Sequence, residues 1–551
     1  MEKKTFVKGA AILAVSGLVV KLIGLVYRIP LLNIVGSDGM HYYEIVYRYY
    51  SWLLVISSSG IPTAISKLVS ERLTLGDYKG GRSVFKTAWW LLLFIGAATT
   101  AFMYFGSSML ASISYPADAA DQIANQALAF KALAPSLLFV SLLCAYRGYL
   151  QGMQHMLGTG VSQIVEQAGK LAIGFTLAAK LAPQGPAYAV MGALIGISAS
   201  ELMGLAVIFC FYLRRKKMIN YQTRRAQAQQ KPLLTRTITK RFLRIALPVT
   251  IGASIMPLTG IIDSALIIRM LESTGFTVEA ASKAYALLYS CVTPIINMPA
   301  VLTMALATSL VPAISSYMAK RELNQVRAAA RTGMKLALII GAPCSIGLFV
   351  LSKPILRMLF TSLTETELTI TAGLMQISCV GVVFLSLVQT LTGIIQGLGR
   401  ARVPVLNLVF GAVLKVVTLM ALVRVPHINI QGAAVSTVVC YAAAGLMDVI
   451  YLINKTKMKA RLWDVFIKPI LASVLMGVTV HYVYEGLAGM NFGNVLVTLA
   501  ALFAGVLVYG VLVILLKMLR PADLAFIPGG KFLEQNVFRY PAAPKNKKPR
   551  R

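Results

Sequence analysis

The chain has 551 residues, 57% of them hydrophobic and 13% charged, with 53 Lys and Arg against 20 Asp and Glu. A soluble globular protein is about 45–50% apolar and about 25% charged, so this composition excludes one and indicates a polytopic membrane protein. The net charge of +33 does not indicate nucleic acid as a partner. The cations sit in the connections between apolar segments, the distribution that leaves them on the cytoplasmic side of a membrane.

Apolar segments of spanning length recur fourteen times, at 9–32, 43–66, 86–110, 122–148, 158–182, 186–213, 242–269, 284–311, 333–352, 368–395, 403–424, 429–453, 465–485 and 494–518. The predicted fold class is therefore all-α, a polytopic membrane protein of about fourteen transmembrane helices. The connections alternate in charge. One set carries Lys67, Arg72, Lys79 and Arg82, then 214–244 with eleven Lys or Arg and no acid, then Lys320, Arg321, Arg327 and Arg331, then Lys455, Lys457, Lys459 and Arg461. The other set leans acidic, with Asp38, Asp118, Asp121, Glu272, Glu279, Glu365, Glu367 and Glu485. This pattern predicts that both termini are cytoplasmic. The expected layout is a first six-helix lobe over 1–213 and a basic linker over 214–241 that also touches anionic lipid. A second six-helix lobe over 242–454, two further spans over 455–519 and a basic tail over 520–551 follow.

An internal repeat supports two pseudo-symmetric lobes. Gly148-Tyr-Leu-Gln-Gly152 recurs as Gly393-Ile-Ile-Gln-Gly397, 245 residues on, and Lys170 and Lys415 share that offset. Ile61-Pro62 before a basic loop recurs as Val311-Pro312, 250 residues on. An even number of spans per copy keeps both copies in one orientation, and a substrate site is then expected between them near the midplane.

The first span, AILAVSGLVVKLIGLVYRIPLL, carries Lys21 near its middle and Arg28 beyond it, and the second carries Arg48. A cation at the bilayer centre costs about 2.5–3.5 kcal/mol on insertion scales. No acid lies within a turn of Lys21 to neutralise it. Such cations suit an anionic cargo, a phosphate-bearing lipid moved between leaflets, because Arg and Lys donors replace the water that a diphosphate loses on crossing. Arg28, Arg48 and Arg269 fall toward helix ends and alternatively snorkel to headgroups. Glu166 and Lys170, four residues apart, form an ion pair by default. Glu201 is placed to meet Lys170, and Asp448 to meet Lys415, or each acid serves as a proton or cation site. Asp263 and Arg269 either pair with each other, or Arg269 joins the cationic lining.

The six cysteines lie inside apolar segments without CxxC spacing and the four histidines are scattered, so neither a metal site nor a cofactor is expected. No HExxH, P-loop or nucleophile-elbow pattern is present. An embedded glycan polymerase is thus less favoured than a transporter, and no catalytic residues are assigned. A drug or cation antiporter is the other alternative, though its cavity would call for acids.

The segments TFVKGAAILAVSGLVVKLIGLVYRIPLLNIVG and GIPTAISKLVSERLTLGDY, with the GxxQG repeats, resemble the polysaccharide-transporter branch of the multidrug, oligosaccharidyl-lipid, polysaccharide superfamily. Within it the chain resembles the stage V sporulation protein B group and, more distantly, the MurJ lipid II flippases. The resemblance implies a bacterial plasma-membrane flippase for an undecaprenyl-diphosphate-linked saccharide such as a peptidoglycan precursor. It implies no cofactor, and alternating access powered by membrane potential or a cation gradient. It admits cell-wall synthesis proteins as partners. It places Lys21 and Arg48 where MurJ-type flippases have cavity arginines. Arg28 falls one residue past another such position, which Tyr27 occupies. Leu288 stands where an eighth-span arginine is expected, with Lys283 or Arg269 as the substitute. Relatives with a sodium site use span-eleven acids, whereas this span has Asn407 and Lys415.

Overall fold

The computed structural model describes residues 27–519 except 59, 117, 226–234, 459–462 and 491, together with residues 16, 19–20 and 23–24. Lys21 lies outside the described residues. Helix α1 covers 27–35. There follow α2 (Ser37–Ser58), α3 (Ile61–Thr74), α4 (Tyr78–Phe105), α5 (Ser107–Ser114), α6 (Ala120–Gly152), α7 (Leu157–Gly169), α8 (Phe175–Leu181), α9 (Pro186–Arg225) and α10 (Thr235–Glu272). Then come α11 (Val278–Ala286), α12 (Thr293–Ile296), α13 (Met298–Ala319), α14 (Leu323–Val350), α15 (Ser352–Leu359), α16 (Glu365–Gly397), α17 (Arg402–Leu422), α18 (Gln431–Thr456), α19 (Lys468–Ala488) and α20 (Asn494–Leu515). Among the described residues, eleven helices are long and apolar enough to cross a membrane. Helix α1, the charged α2 and the interrupted α7–α8 bring the number toward fourteen.

The helices form two compact units. The first holds residues up to Pro294 with Leu359–Glu367 and Val416–Ala433, and the second holds Ile295–Met358, Leu368–Lys415 and the chain from Ala434 on. In the first unit α6 is central, packed on α2, α3, α4, α5 and α9, and α10 lies against α2, α3, α4 and α5. In the second, α14 packs on α13 and α19, and α19 on α20. Side chains such as Phe94 and Phe503 are 74% and 65% exposed in the protein alone. A bilayer covers such faces, because every backbone group they flank is already satisfied within its helix.

Small residues set the packing, as expected where lipid competes for apolar surface. A Cβ at Gly148 would come within 3.0 Å of Pro62 Cα, and one at Gly152 within 2.8 Å of Val69 Cβ, so α6 meets α3 backbone to backbone. In the second unit a Cβ at Gly393 would lie 2.8 Å from Ala307 O, and one at Gly397 would lie 3.0 Å from Ile314 Cβ. Gly96 faces Ser141 in the first unit, and Gly341 faces Ser386 in the second. Thr100 Oγ1 donates to Ala134 O at 3.1 Å, and Ser345 Oγ to Cys379 O at 2.7 Å. Every one of these pairs is related by the 245-residue offset of Gly148 and Gly393. The first residues of α4 and α14, α5 and α15, α6 and α16, α7 and α17, and α9 and α18 are related in the same way.

That register corrects one sequence match. Pro62 corresponds in packing to Ala307, which meets Gly393, and not to Pro312. Two prolines at similar places after an apolar run misled the alignment by five residues.

The two halves differ at two places that matter below. Lys170–Gly174 is a π-helical turn, while its counterpart lies inside the regular α17. Leu287–Val292 is also π-helical, while its counterpart lies inside α2. Such turns occur mostly as local insertions and frequently at functional sites.

Candidate functional site

Three parts of the first unit converge on Glu44: α1, α2 and the π turn Leu287–Val292. The Glu44 side chain is 1% exposed, and its Oε1 lies 2.9 Å from Arg28 Nη1. Its Oε2 lies 3.9 Å from Nη2 of Arg48, one turn along α2. Ser290 Oγ donates to Glu44 Oε1 at 3.3 Å. Two guanidiniums therefore share the Glu44 carboxylate. The arginine side chains remain 20% and 23% exposed, which leaves part of each planar fork open to a second acceptor.

The π turn supplies a further acceptor. Arg28 Nη1 donates to Tyr289 O at 3.3 Å. In a π turn that carbonyl would look to the N–H five residues on, and residue 294 is a proline with none. Thr293 Oγ1 satisfies the neighbouring Leu288 O at 3.0 Å. On α10, Gly260 makes room for Arg48, since a Cβ there would lie 2.8 Å from Arg48 Cδ. Asp263, one turn further, accepts a hydrogen bond from Tyr289 Oη at 2.8 Å.

Aromatic faces hold the remaining cationic surface. Arg48 Cζ stands 4.5 Å from the Tyr289 ring centroid, and Arg28 Cζ 5.7 Å from that of Tyr47. Lys170 Nζ lies 4.8 Å from the Tyr27 centroid and 5.3 Å from that of Tyr47. These contacts lie within the range of cation–π attraction. They gather Arg28 and Arg48, expected in a cationic cavity, and Lys170, expected in a separate charge network, around one tyrosine-lined group.

Other expected residues fall elsewhere. Glu166 pairs with Arg147, Nη2 to Oε2 at 2.9 Å, and not with Lys170. Lys170 keeps its regular i to i+4 backbone hydrogen bond to Glu166 O, but Arg147 on α6 takes the Glu166 carboxylate and the lysine side chain turns to the tyrosines. Glu201 faces Glu166, and its Oε2 is buried without a hydrogen-bond partner. Arg269 does not join the cationic group: it donates to the carbonyls of Ser112 and Tyr115, the latter at 3.0 Å, and so ties the end of α5 to α10. Lys283 is likewise committed, 3.1 Å from Asp38 and 2.9 Å from Glu367, near the Gly36 turn. Ser37 Oγ also donates to Glu367, at 2.6 Å. In the second unit Asp448 accepts from Asn407 Nδ2 at 2.7 Å, and Lys415 is buried. Among the described residues no group of three His, Cys, Asp or Glu side chains is placed to hold a metal ion.

Glu44 and Arg147 were missed at the sequence level. Glu44 carried a readable signal, an acid four residues before Arg48 on one helical face. Arg147 carried none, because its partner lies on another helix.

The family model described as Lipid II flippase MurJ matches residues 71–501. The chain belongs to the lipid II flippase MurJ family. Relatives in Bacillus subtilis (strain 168) include the membrane protein YabM, 29% identical over 97% of this chain and 96% of its own length. Stage V sporulation protein B of the same organism is 25% identical over 96% of this chain and 98% of its own. Among solved structures, a lipid II flippase MurJ in an inward closed conformation superposes with a TM-score of 0.66. It is 15% identical and covers 91% of this chain and 98% of its own. The fold is thus that of a polytopic MurJ-family transporter. The Arg28–Glu44–Arg48 group lies before the matched stretch, in a part that the two full-length relatives also cover.

Proposed function

We propose that this chain is a flippase for an undecaprenyl-diphosphate-linked saccharide, a peptidoglycan precursor such as lipid II, carried from the inner to the outer leaflet of the bacterial plasma membrane by alternating access. The observation that carries this reading is the sharing of one buried carboxylate by Arg28 and Arg48, with Lys170 beside them. With Asp263, bound to the tyrosine under Arg48, counted beside Glu44, three cations meet two carboxylates and the group is one anion short. A diphosphate brings several acceptor oxygens at the spacing of a guanidinium fork, and charge-assisted contacts of this kind are about twice as strong as neutral ones. Glu44 then acts as the resident counter-ion, holding both arginines in place until the headgroup takes them. Lys21, on the span that leads into α1, is assigned to the same lining.

The charge pattern supports cytoplasmic termini, with the basic linker and tail against anionic lipid. Gly252, Pro257 and Gly260 on α10 give that helix room to bend as the site changes access. An antiporter for organic cations would need the opposite polarity. Cell-wall synthesis proteins remain the natural partners for the delivered lipid.

The test is flipping of fluorescent lipid II in proteoliposomes, read as protection from a membrane-impermeant quencher. Full-length protein should equalise the label between leaflets, and Arg48→Ala should not. Equal rates with and without the protein, or chemical conversion of the lipid, would overturn the reading.

A further inference from the structure

A cavity of about 470 Å³ opens in the first unit near the starts of α2, α6, α9 and α11, and none of Arg28, Glu44 and Arg48 is among its described lining residues. Its size falls in the range of small-molecule sites, about 300–1,000 Å³. Asp38, Glu279, Gln122, Asn125, Tyr188 and His41 are among its lining residues, and among the described residues neither Lys nor Arg lines it. His41 is 6% exposed, and its ring lies 3.9 Å from that of Tyr42, centroid to centroid, as part of the cavity wall.

We infer that this cavity is a saccharide subsite, which takes the sugar portion of the headgroup while the arginines take the diphosphate. This inference rests on the flippase reading above and adds a second, separable contact to it. Without cations in its lining the cavity does not suit phosphate. Asp38 shares Lys283 with Glu367, at 3.1 and 2.9 Å, so the cavity keeps a modest negative charge from Asp38 and Glu279 among otherwise neutral groups. Sugar hydroxyls donate and accept at once, and so match the amides of Gln122 and Asn125. The Tyr188 ring, 40% exposed, offers an apolar face to a pyranose.

The test uses the purified full-length chain in detergent micelles. N,N′-diacetylchitobiose binding is followed by saturation-transfer NMR and inorganic diphosphate binding by calorimetry. The double variant Gln122→Ala/Asn125→Ala should weaken chitobiose binding at least about fivefold, the scale of one or two lost neutral hydrogen bonds, and leave diphosphate binding unchanged. Arg48→Ala should do the reverse. Both lining amides are partly exposed, and an unchanged melting temperature checks that the variant folds. Absence of chitobiose binding, binding that the double variant does not alter, or displacement of the sugar by methylammonium would overturn the subsite. Loss of diphosphate binding alone would strike the flippase reading and leave the subsite standing.

Discussion

Glu44 stands one turn from Arg48 on α2, yet it is held more tightly by Arg28 from another helix, at 2.9 Å against 3.9 Å. The closer contact joins α1 to α2, and the looser one leaves Arg48 to Tyr289 and to the open side of the group. An acid placed in this way competes with any incoming anion for both guanidiniums.

Glu44→Gln should therefore tighten diphosphate binding, at least about threefold by calorimetry, because each guanidinium regains an unused charge-assisted donor. The same variant should slow lipid flipping, since the released headgroup has no resident anion to replace it. Arg28→Ala and Arg48→Ala should each weaken diphosphate binding by at least about tenfold, the equivalent of one lost contact of roughly 1.5–3 kcal/mol to a charged group.

Lys170 and Arg147 should separate binding from stability. Arg147→Met leaves the Glu166 carboxylate without its partner in a site where the side chains are 12% and 15% exposed. Breaking a buried pair on one side costs about 3–5 kcal/mol, and the partial exposure here places the loss at the lower end. The melting temperature should fall, and the double variant Arg147→Met/Glu166→Gln should recover most of it. Lys170→Met strands no carboxylate, so it should lower diphosphate affinity with little change in melting temperature.

Arg269→Ala provides a control for the site assignment. It removes donors to the carbonyls of Ser112 and Tyr115. Thermal stability should drop, while diphosphate affinity stays at the wild-type value. A matching loss of affinity would place Arg269 in the binding group after all.

Packing makes a paired prediction. At Gly148 and at Gly393 an added methyl meets backbone atoms of the facing helix at 3.0 and 2.8 Å. Neither helix can yield without separating from its neighbour. Gly148→Ala and Gly393→Ala should each cost about 1–3 kcal/mol, the range for overpacking, and should lower the melting temperature by similar amounts. A loss in one and not the other would argue against equivalent packing in the two units.

His155 gives a pH dependence. It lies in the turn between α6 and α7, with Nε2 2.6 Å from Arg215 Nη1. Burial first, then the Arg215 charge, lowers its pKa below the usual 6.5. The unfolded chain therefore takes up a proton there before the folded chain does. Stability is complete above the unfolded value and is lost as pH falls through about 6.5 and below. Melting temperatures measured from pH 7.5 down to 5.5 should decline, and His155→Gln should flatten that slope.

The sequence by itself determined that the chain lives in a membrane, roughly where each span runs, and that its halves repeat. Hydropathy and loop charge are sums over many residues, so they survive local error. The Gly148 and Gly393 motifs were legible because only glycine tolerates a helix backbone at 3 Å or less, and that need leaves a mark in the chain. The Pro62 and Pro312 match failed because a proline after an apolar run marks a helix start anywhere, with no partner to fix its register. Tertiary structure alone decided which charges meet. Arg147 takes Glu166, Lys283 takes Asp38 and Glu367, and Arg28 reaches Glu44. Each of these contacts joins groups on different helices. Lys170, whose expected partner Glu166 is taken by Arg147, rests on tyrosines. A charge in a membrane must find a partner, but which one it finds depends on which helices lie side by side.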